Sequence, residues 1–224
     1  MTYILRHRRT WMLRLCLTCA ALLIMSGTAQ TARADSFTVF VNTTSIATQN
    51  GFLDFQFNPG STTSHPSTAL VTGFASVGGM LGSATPTGDV TGVLPNSVTI
   101  RNSRQLNELF QAFQFGASFS FNVNLSVMNP GTTGDASVFT LSLFNSDQSA
   151  AFLSSDPDGR LLSIQLNPDG STSVQTFGNS PGVITVTPQA PVPEPATLVL
   201  LGTGLTGIAA RVRKRRKVRG REES

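Results

Sequence analysis

Across residues 118–127, Phe119, Phe121, Val123, Leu125 and Val127 alternate with Ser118, Ser120, Asn122, Asn124 and Ser126. A period of two puts the apolar side chains on one face of a strand and the polar ones on the other, a segregation no helix achieves with this spacing. Shorter versions recur at Phe37-Val39-Val41, Leu53-Phe55-Phe57, residues 70–77, residues 98–100, Phe139-Leu141-Leu143, Leu162-Ile164-Leu166, residues 174–177 and residues 183–186, separated by Gly, Pro, Asn and Asp. Each such strand has one apolar face to cover. The expected fold is therefore all-β: an antiparallel β-sandwich, with a jelly-roll-like winding as one form of it.

Local chemistry supports short connections. Asp156-Pro157-Asp158-Gly159 and Asn167-Pro168-Asp169-Gly170 match a turn in which Pro presets φ and Gly accepts positive φ, and they bracket a strand at residues 160–166. Leu106, Leu109, Phe110 and Phe113 instead fall at helical spacing, which points to a helical turn connecting strands.

The net charge of +4 suggests an anionic partner until its distribution is considered. Basic residues crowd the two ends, and residues 35–190 hold only Arg101, Arg104 and Arg160 against eight aspartates and Glu108, a net of −6. An acidic middle without lysine removes the case for nucleic-acid binding. Both cysteines, Cys16 and Cys19, lie near the N-terminus, so the middle has no disulfide and must be held by packing, to which all 15 phenylalanines are available.

Arg6, Arg8 and Arg9 precede an apolar run at residues 15–25, followed by polar residues and the A-x-A pattern ending Ala32-Arg33-Ala34. This is the layout of a signal peptide over residues 1–34, with Ala32 and Ala34 as the signal-peptidase site. The clean apolar stretch is about 11 residues, against the roughly 20 a membrane-spanning helix needs. Arg8-Arg9 is ordinary for such a leader, and the two cysteines lack the small-residue surroundings of a lipidation site.

The other end has three parts in order. Residues 188–195 contain four prolines and end in Pro193-Glu194-Pro195, which favours an extended linker. Residues 196–210 are uncharged and mostly apolar, about 22 Å of helix against a hydrocarbon core of roughly 30 Å, a short transmembrane segment. Residues 211–224 then form a basic tail whose cluster of Arg211, Arg213, Lys214, Arg215, Arg216 and Lys217 should stop transfer and stay cytoplasmic. Gly202-Thr203-Gly204-Leu205-Thr206-Gly207 fits a dinucleotide fingerprint only as letters, because no strand-helix-strand unit surrounds it.

Pro-Glu-Pro, a short apolar span and an arginine-rich end resemble the PEP-CTERM sorting signal of Gram-negative bacteria, over about the last 32 residues. The resemblance implies recognition by exosortase, a membrane protease or transpeptidase acting near Pro193, Glu194 and Pro195. A second resemblance covers most of residues 36–177: Leu53-Asp54-Phe55-Gln56-Phe57-Asn58, Gly78-Gly79, residues 107–113 and residues 116–121 are similar to a Phe-rich ectodomain recurrent among PEP-CTERM proteins. It implies a location and a fold, and no activity. The expected organisation is a signal peptide at 1–34, a β-sandwich ectodomain at 35–187 and a sorting region at 188–224.

Catalytic and metal-binding patterns are sparse. His65 sits in a polar segment with no second middle histidine and no cysteine, so it reads as an exposed loop residue. Asp156, Asp158 and Asp169 read as turn residues, with calcium the competing reading; the pattern lacks the terminal bidentate Glu of a calcium loop. Paired acids for glycoside hydrolysis have one internal glutamate to draw on, Glu108, and no nominated partner. The sequence thus points to an exported, exosortase-sorted surface or matrix protein, not an enzyme, with no cofactor. The alternative is a carbohydrate-binding module for extracellular polysaccharide.

Overall fold

A computed structural model of the chain describes residues 34–189, which contain twelve strands and a single 3-10 turn. No helix among them is long and apolar enough to cross a membrane. The expected leader upstream of Ala34 and the expected span at 196–210 lie outside the described residues.

The strands are β1 (Ala34–Asn42), β2 (Asn50–Pro59), β3 (Ser67–Val77), β4 (Met80–Thr87), β5 (Val90–Gly92), β6 (Val98–Arg101), β7 (Glu108–Gln114), β8 (Ser118–Val127), β9 (Ser137–Asn145), β10 (Arg160–Leu166), β11 (Thr172–Thr176) and β12 (Ile184–Gln189). They form two six-stranded antiparallel sheets, ordered β12-β1-β8-β3-β6-β5 and β11-β10-β9-β2-β7-β4. The pairs β1/β8, β2/β7 and β3/β6 are nested. Such nesting means that one long antiparallel ribbon is wound over so that β1 to β4 fall alternately in the two sheets and β6 to β8 alternate back, the jelly-roll arrangement. The β9-β10-β11 meander widens one sheet beyond β2, and β12 widens the other beyond β1.

Alternation sets the facing of each strand. In β8, Phe119, Phe121, Val123, Leu125 and Val127 are all buried, and in β2 so are Leu53, Phe55 and Phe57. Their rings meet across the gap between sheets. Phe55 packs edge-on against Phe121 with centroids 5.2 Å apart, and Phe113 of β7 does the same with Phe74 of β3 at 5.9 Å. Edge-to-face contacts of this kind add specificity to the area buried, because the positive ring edge meets the negative ring face.

One backbone crossing requires glycine. A side chain on Gly116 would lie 2.1 Å from the Val77 carbonyl oxygen and 2.3 Å from the Gly79 nitrogen. The approach lets Ala117 donate to the Val77 carbonyl and Thr43 donate through Oγ1 to that of Gly116. Gly78, with φ +74°, makes the adjoining turn.

Two sequence expectations need correction, and one strand was not foreseen. Residues 108–114 are a strand, β7: Leu109, Gln111 and Phe113 face inward at period two, and pairing with both β2 and β4 supplies hydrogen bonds that a helix would have made locally. The strand β4, with a mostly exposed pattern and Gly, Ser, Thr and Pro in it, left no periodic signal and is held by its pairing with β7. The last strand runs to Gln189, with Pro188 opposite Phe37 and Gln189 opposite Ser36, where an unpaired linker was expected from residue 188. An edge strand accepts proline because one side of its backbone has no neighbour.

The turns behave as read. Gly159 and Gly170 have φ of +79° and +82°, and each donates to the carbonyl three residues back, Asp156 and Asn167. Because the inter-sheet rings carry so much of the packing, Phe121→Ala should cost about 3–5 kcal/mol. Chemical denaturation of wild type and variant at one pH measures that loss.

Candidate functional site

The expected sorting residues Pro193, Glu194 and Pro195, the leader residue Ala32 and the basic cluster from Arg211 to Lys217 lie outside the described residues. Ala34, the expected last residue of the leader, opens β1 and pairs with Ser126. A site can therefore be sought only on the sandwich itself, and its most unusual surface is the outward face of the sheet ordered β11-β10-β9-β2-β7-β4.

Strand register arranges that face in rows. Across one row lie Arg160, Ser142, Asp54, Phe110 and Thr85; the row beside it holds Ser163, Thr140, Gln56, Glu108 and Thr87; on the other side come Phe144, Phe52 and Ala112. An outward face would ordinarily be polar throughout. Here three phenylalanines from three adjacent strands gather, Phe52 stacked on Phe110 with centroids 4.5 Å apart and Phe144 at 6.3 Å from Phe110. All three rings remain partly exposed.

Asp54, flanked by Phe110 and Ser142, is only 3% exposed. Its Oδ2 accepts from Gln56 Nε2 at 2.7 Å, the same nitrogen lies 3.2 Å from Glu108 Oε1, and Asp54 Oδ1 has no hydrogen-bond partner. Burial, and next the nearby Glu108 charge, push the Asp54 carboxyl up to about 7, against a smaller opposing effect of the Gln56 hydrogen bond. The sequence concealed this pair because the two acids are 54 positions apart in numbering and become neighbours only through β2/β7 register. The alternation of β2, which puts Asp54, Gln56 and Asn58 on the face opposite Leu53, Phe55 and Phe57, was the available signal.

A shallow groove of about 370 Å³ continues the face beyond the aromatic row, lined among others by Phe52, Met80, Ala112 and Gln114. At the 59–67 and 101–105 loops a second cavity, of about 530 Å³, holds Arg101 and Arg104; Arg101 is already 3.4 Å from Asp89.

The residues weighed for metal chemistry are otherwise engaged. Arg160 donates from Nε to Asp156 at 2.6 Å and from a terminal nitrogen to Asp158 at 2.9 Å, so a guanidinium stands where a cation would sit. That contact holds the Asp156 carboxyl below the usual carboxylate range. Asp169 accepts from the backbone and hydroxyl of Ser171, an Asx-type turn. His65 is more constrained than a free loop residue: Nδ1 is 3.0 Å from the Asn129 carbonyl and Nε2 2.8 Å from that of Thr133, which ties two loops together. No group of three or more His, Cys, Asp or Glu side chains suited to a metal occurs among the described residues.

The described residues thus define a jelly-roll β-sandwich of the Phe-rich kind, with one outward face of mixed aromatic and acidic character. Beyond the sandwich, residues 191–216 match the family model described as the PEP-CTERM protein-sorting motif. The chain carries that sorting signal, which implies export, a C-terminal membrane anchor before processing, and processing by exosortase. No curated protein and no solved structure matches the chain.

Two outcomes follow from the charges. The folded pKa of Asp54 lies above its unfolded value of 3.8, so its ionisation weakens the fold progressively as pH rises from about 4 to about 7, with no effect below that window and a constant penalty above it. Asp54→Asn should remove this dependence and raise stability at pH 8 by on the order of 4 kcal/mol, with the two proteins converging at pH 4; thermal melts at both pH values measure it. Since Arg160 and Ser171 occupy the loop aspartates, EDTA should leave the melting temperature unchanged, and a fall on chelation reversed by calcium would show a metal site instead.

Proposed function

We propose that the chain is a non-enzymatic component of the cell surface or extracellular matrix. It is exported by the leader at residues 1–34, anchored briefly in the inner membrane with its C-terminus cytoplasmic, and cut by exosortase near Pro193-Glu194-Pro195, which sets the sandwich free to act as an interaction domain. The match at residues 191–216 carries this reading. Supporting it are the order of linker, short apolar span and basic cluster, and the concentration of positive charge in the two ends that processing removes. What remains is acidic and free of cysteine.

The non-enzymatic part of the reading is supported by the one acid pair of the outward face. A glycosidase keeps its two carboxyls apart across an open space for the scissile bond and, in one class, a water. In this protein the Asp54 and Glu108 carboxyls share the Gln56 amide as a donor and interact directly with each other, which leaves no such space between them. An interaction role with extracellular polymer uses the same groups without requiring that space.

Expression in a Gram-negative host with its own exosortase tests the sorting. The exported protein should have an intact mass lacking both the leader and the arginine-rich tail of residues 211–224. A mature protein that retains the tail would overturn the processing reading.

A further inference from the structure

We propose that the outward face of the β9-β2-β7 region binds an uncharged polysaccharide chain, with the Phe52, Phe110 and Phe144 rings meeting the C–H faces of sugar rings and Asp54, Gln56 and Glu108 hydrogen-bonding their hydroxyls. The inference rests on the matrix reading only for its choice of an extracellular polymer; the site itself is read from the geometry.

Two independent features of this face lack an internal explanation. The first is Asp54 Oδ1, a buried carboxyl oxygen with no hydrogen-bond partner. Buried polar atoms are nearly always paired, and those left over mark places where a ligand or water completes the set. The second is the aromatic cluster, gathered on the side of the sheet away from the core and still partly open to solvent. A ligand that satisfies both must present donors and apolar C–H surface within a few ångströms of each other. Sugar rings do this, since their hydroxyls lie around the rim and their C–H groups on the faces; aromatic rings cover the latter and carboxyl or amide oxygens accept from the former. Gln56 and Glu108 are partly exposed and offer first contacts, and seating a hydroxyl on Asp54 Oδ1 needs a rotamer adjustment of the kind common on binding.

Charge narrows the class. The cation in the same row, Arg160, is already held by Asp156 and Asp158. An acidic polymer would meet Glu108 and the domain's negative charge with no unpaired cation on that row to receive it. Burial raises the Asp54 pKa, which weakens the attraction of this face for an amine-bearing polymer. Length also speaks for a chain over a single sugar, because the groove along Phe52, Ala112 and Gln114 extends the face past the aromatic row.

Affinity electrophoresis of the full chain, purified in mild non-ionic detergent, tests this with dextran, hydroxyethyl cellulose, alginate and chitosan as probes. Retardation by dextran or hydroxyethyl cellulose, and not by alginate, is expected. Phe144→Ala and Glu108→Gln should each weaken it about tenfold while circular dichroism shows the fold retained, and Gln165→Ala, on the exposed end of the same sheet, should not. The proposal falls if neither uncharged polymer retards the protein, or if both variants bind as wild type. It falls equally if retardation is confined to chitosan and lost in salt, or if light scattering shows a dimer that Phe144→Ala dissociates, which would make a second copy the occupant. Binding is read on purified protein and processing on the mass of exported protein, so failure of one leaves the other standing.

Discussion

The two sheets are held to one another by phenylalanines that cross the gap between them. With both cysteines, Cys16 and Cys19, upstream of residue 34, residues 34–189 hold no disulfide, and the contacts of Phe55 with Phe121 and of Phe74 with Phe113 take that part. A nested ribbon has no meaning without them. Each sheet presents an apolar face, and neither face can stay in water, so winding the ribbon over itself is what covers both. The close approach at Gly116 and the hydrogen bond from Ala117 to Val77 follow from the same demand, since the strand ends must turn sharply to bring Phe113, Phe115 and Phe119 into one cluster.

The same residue type serves a second purpose on the opposite side of one sheet. Phe52, Phe110 and Phe144 have no core to enter, yet they gather, and next to Phe110 in the register Asp54 is kept from water at a cost in stability above pH 4. Core packing does not call for an acid there, because Asp54 points away from the inward Leu53 and Phe55. A buried carboxyl with an unpaired oxygen beside a second carboxyl is a feature of the described residues that folding alone leaves unexplained. It is consistent with a surface shaped to meet something outside the chain. The sorting signal at residues 191–216 implies export of the chain that carries this surface.

Much of the fold could be read in advance, and the exceptions have physical causes. The alternation in β8 and β2, and the two Asp/Asn-Pro-Asp-Gly turns around β10, are local signals: each depends on residues within a few positions of one another. Residues 108–114 satisfied helical and strand periods together, and the choice between them fell to the neighbours β2 and β4. The strand β4 has almost no pattern of its own, and Pro188 reads as linker until β1 is seen beside it. For the candidate face, Glu108 was visible as the lone internal glutamate, but its partner could not be named. His65 was legible as a loop residue, whereas its two carbonyl contacts depend on a loop more than 60 positions away.

The sequence by itself determined the class of fold, the acidity of the domain and the address written after it. Alternation, charge distribution and the order of Pro-Glu-Pro, apolar span and arginines are properties of neighbours along the chain and survive without coordinates. Only the tertiary structure decided which strands lie side by side. Register, set by covering apolar faces and by turns at the ribbon's ends, brought Asp54 of β2 beside Glu108 of β7 and three phenylalanines of separate strands onto one outward face.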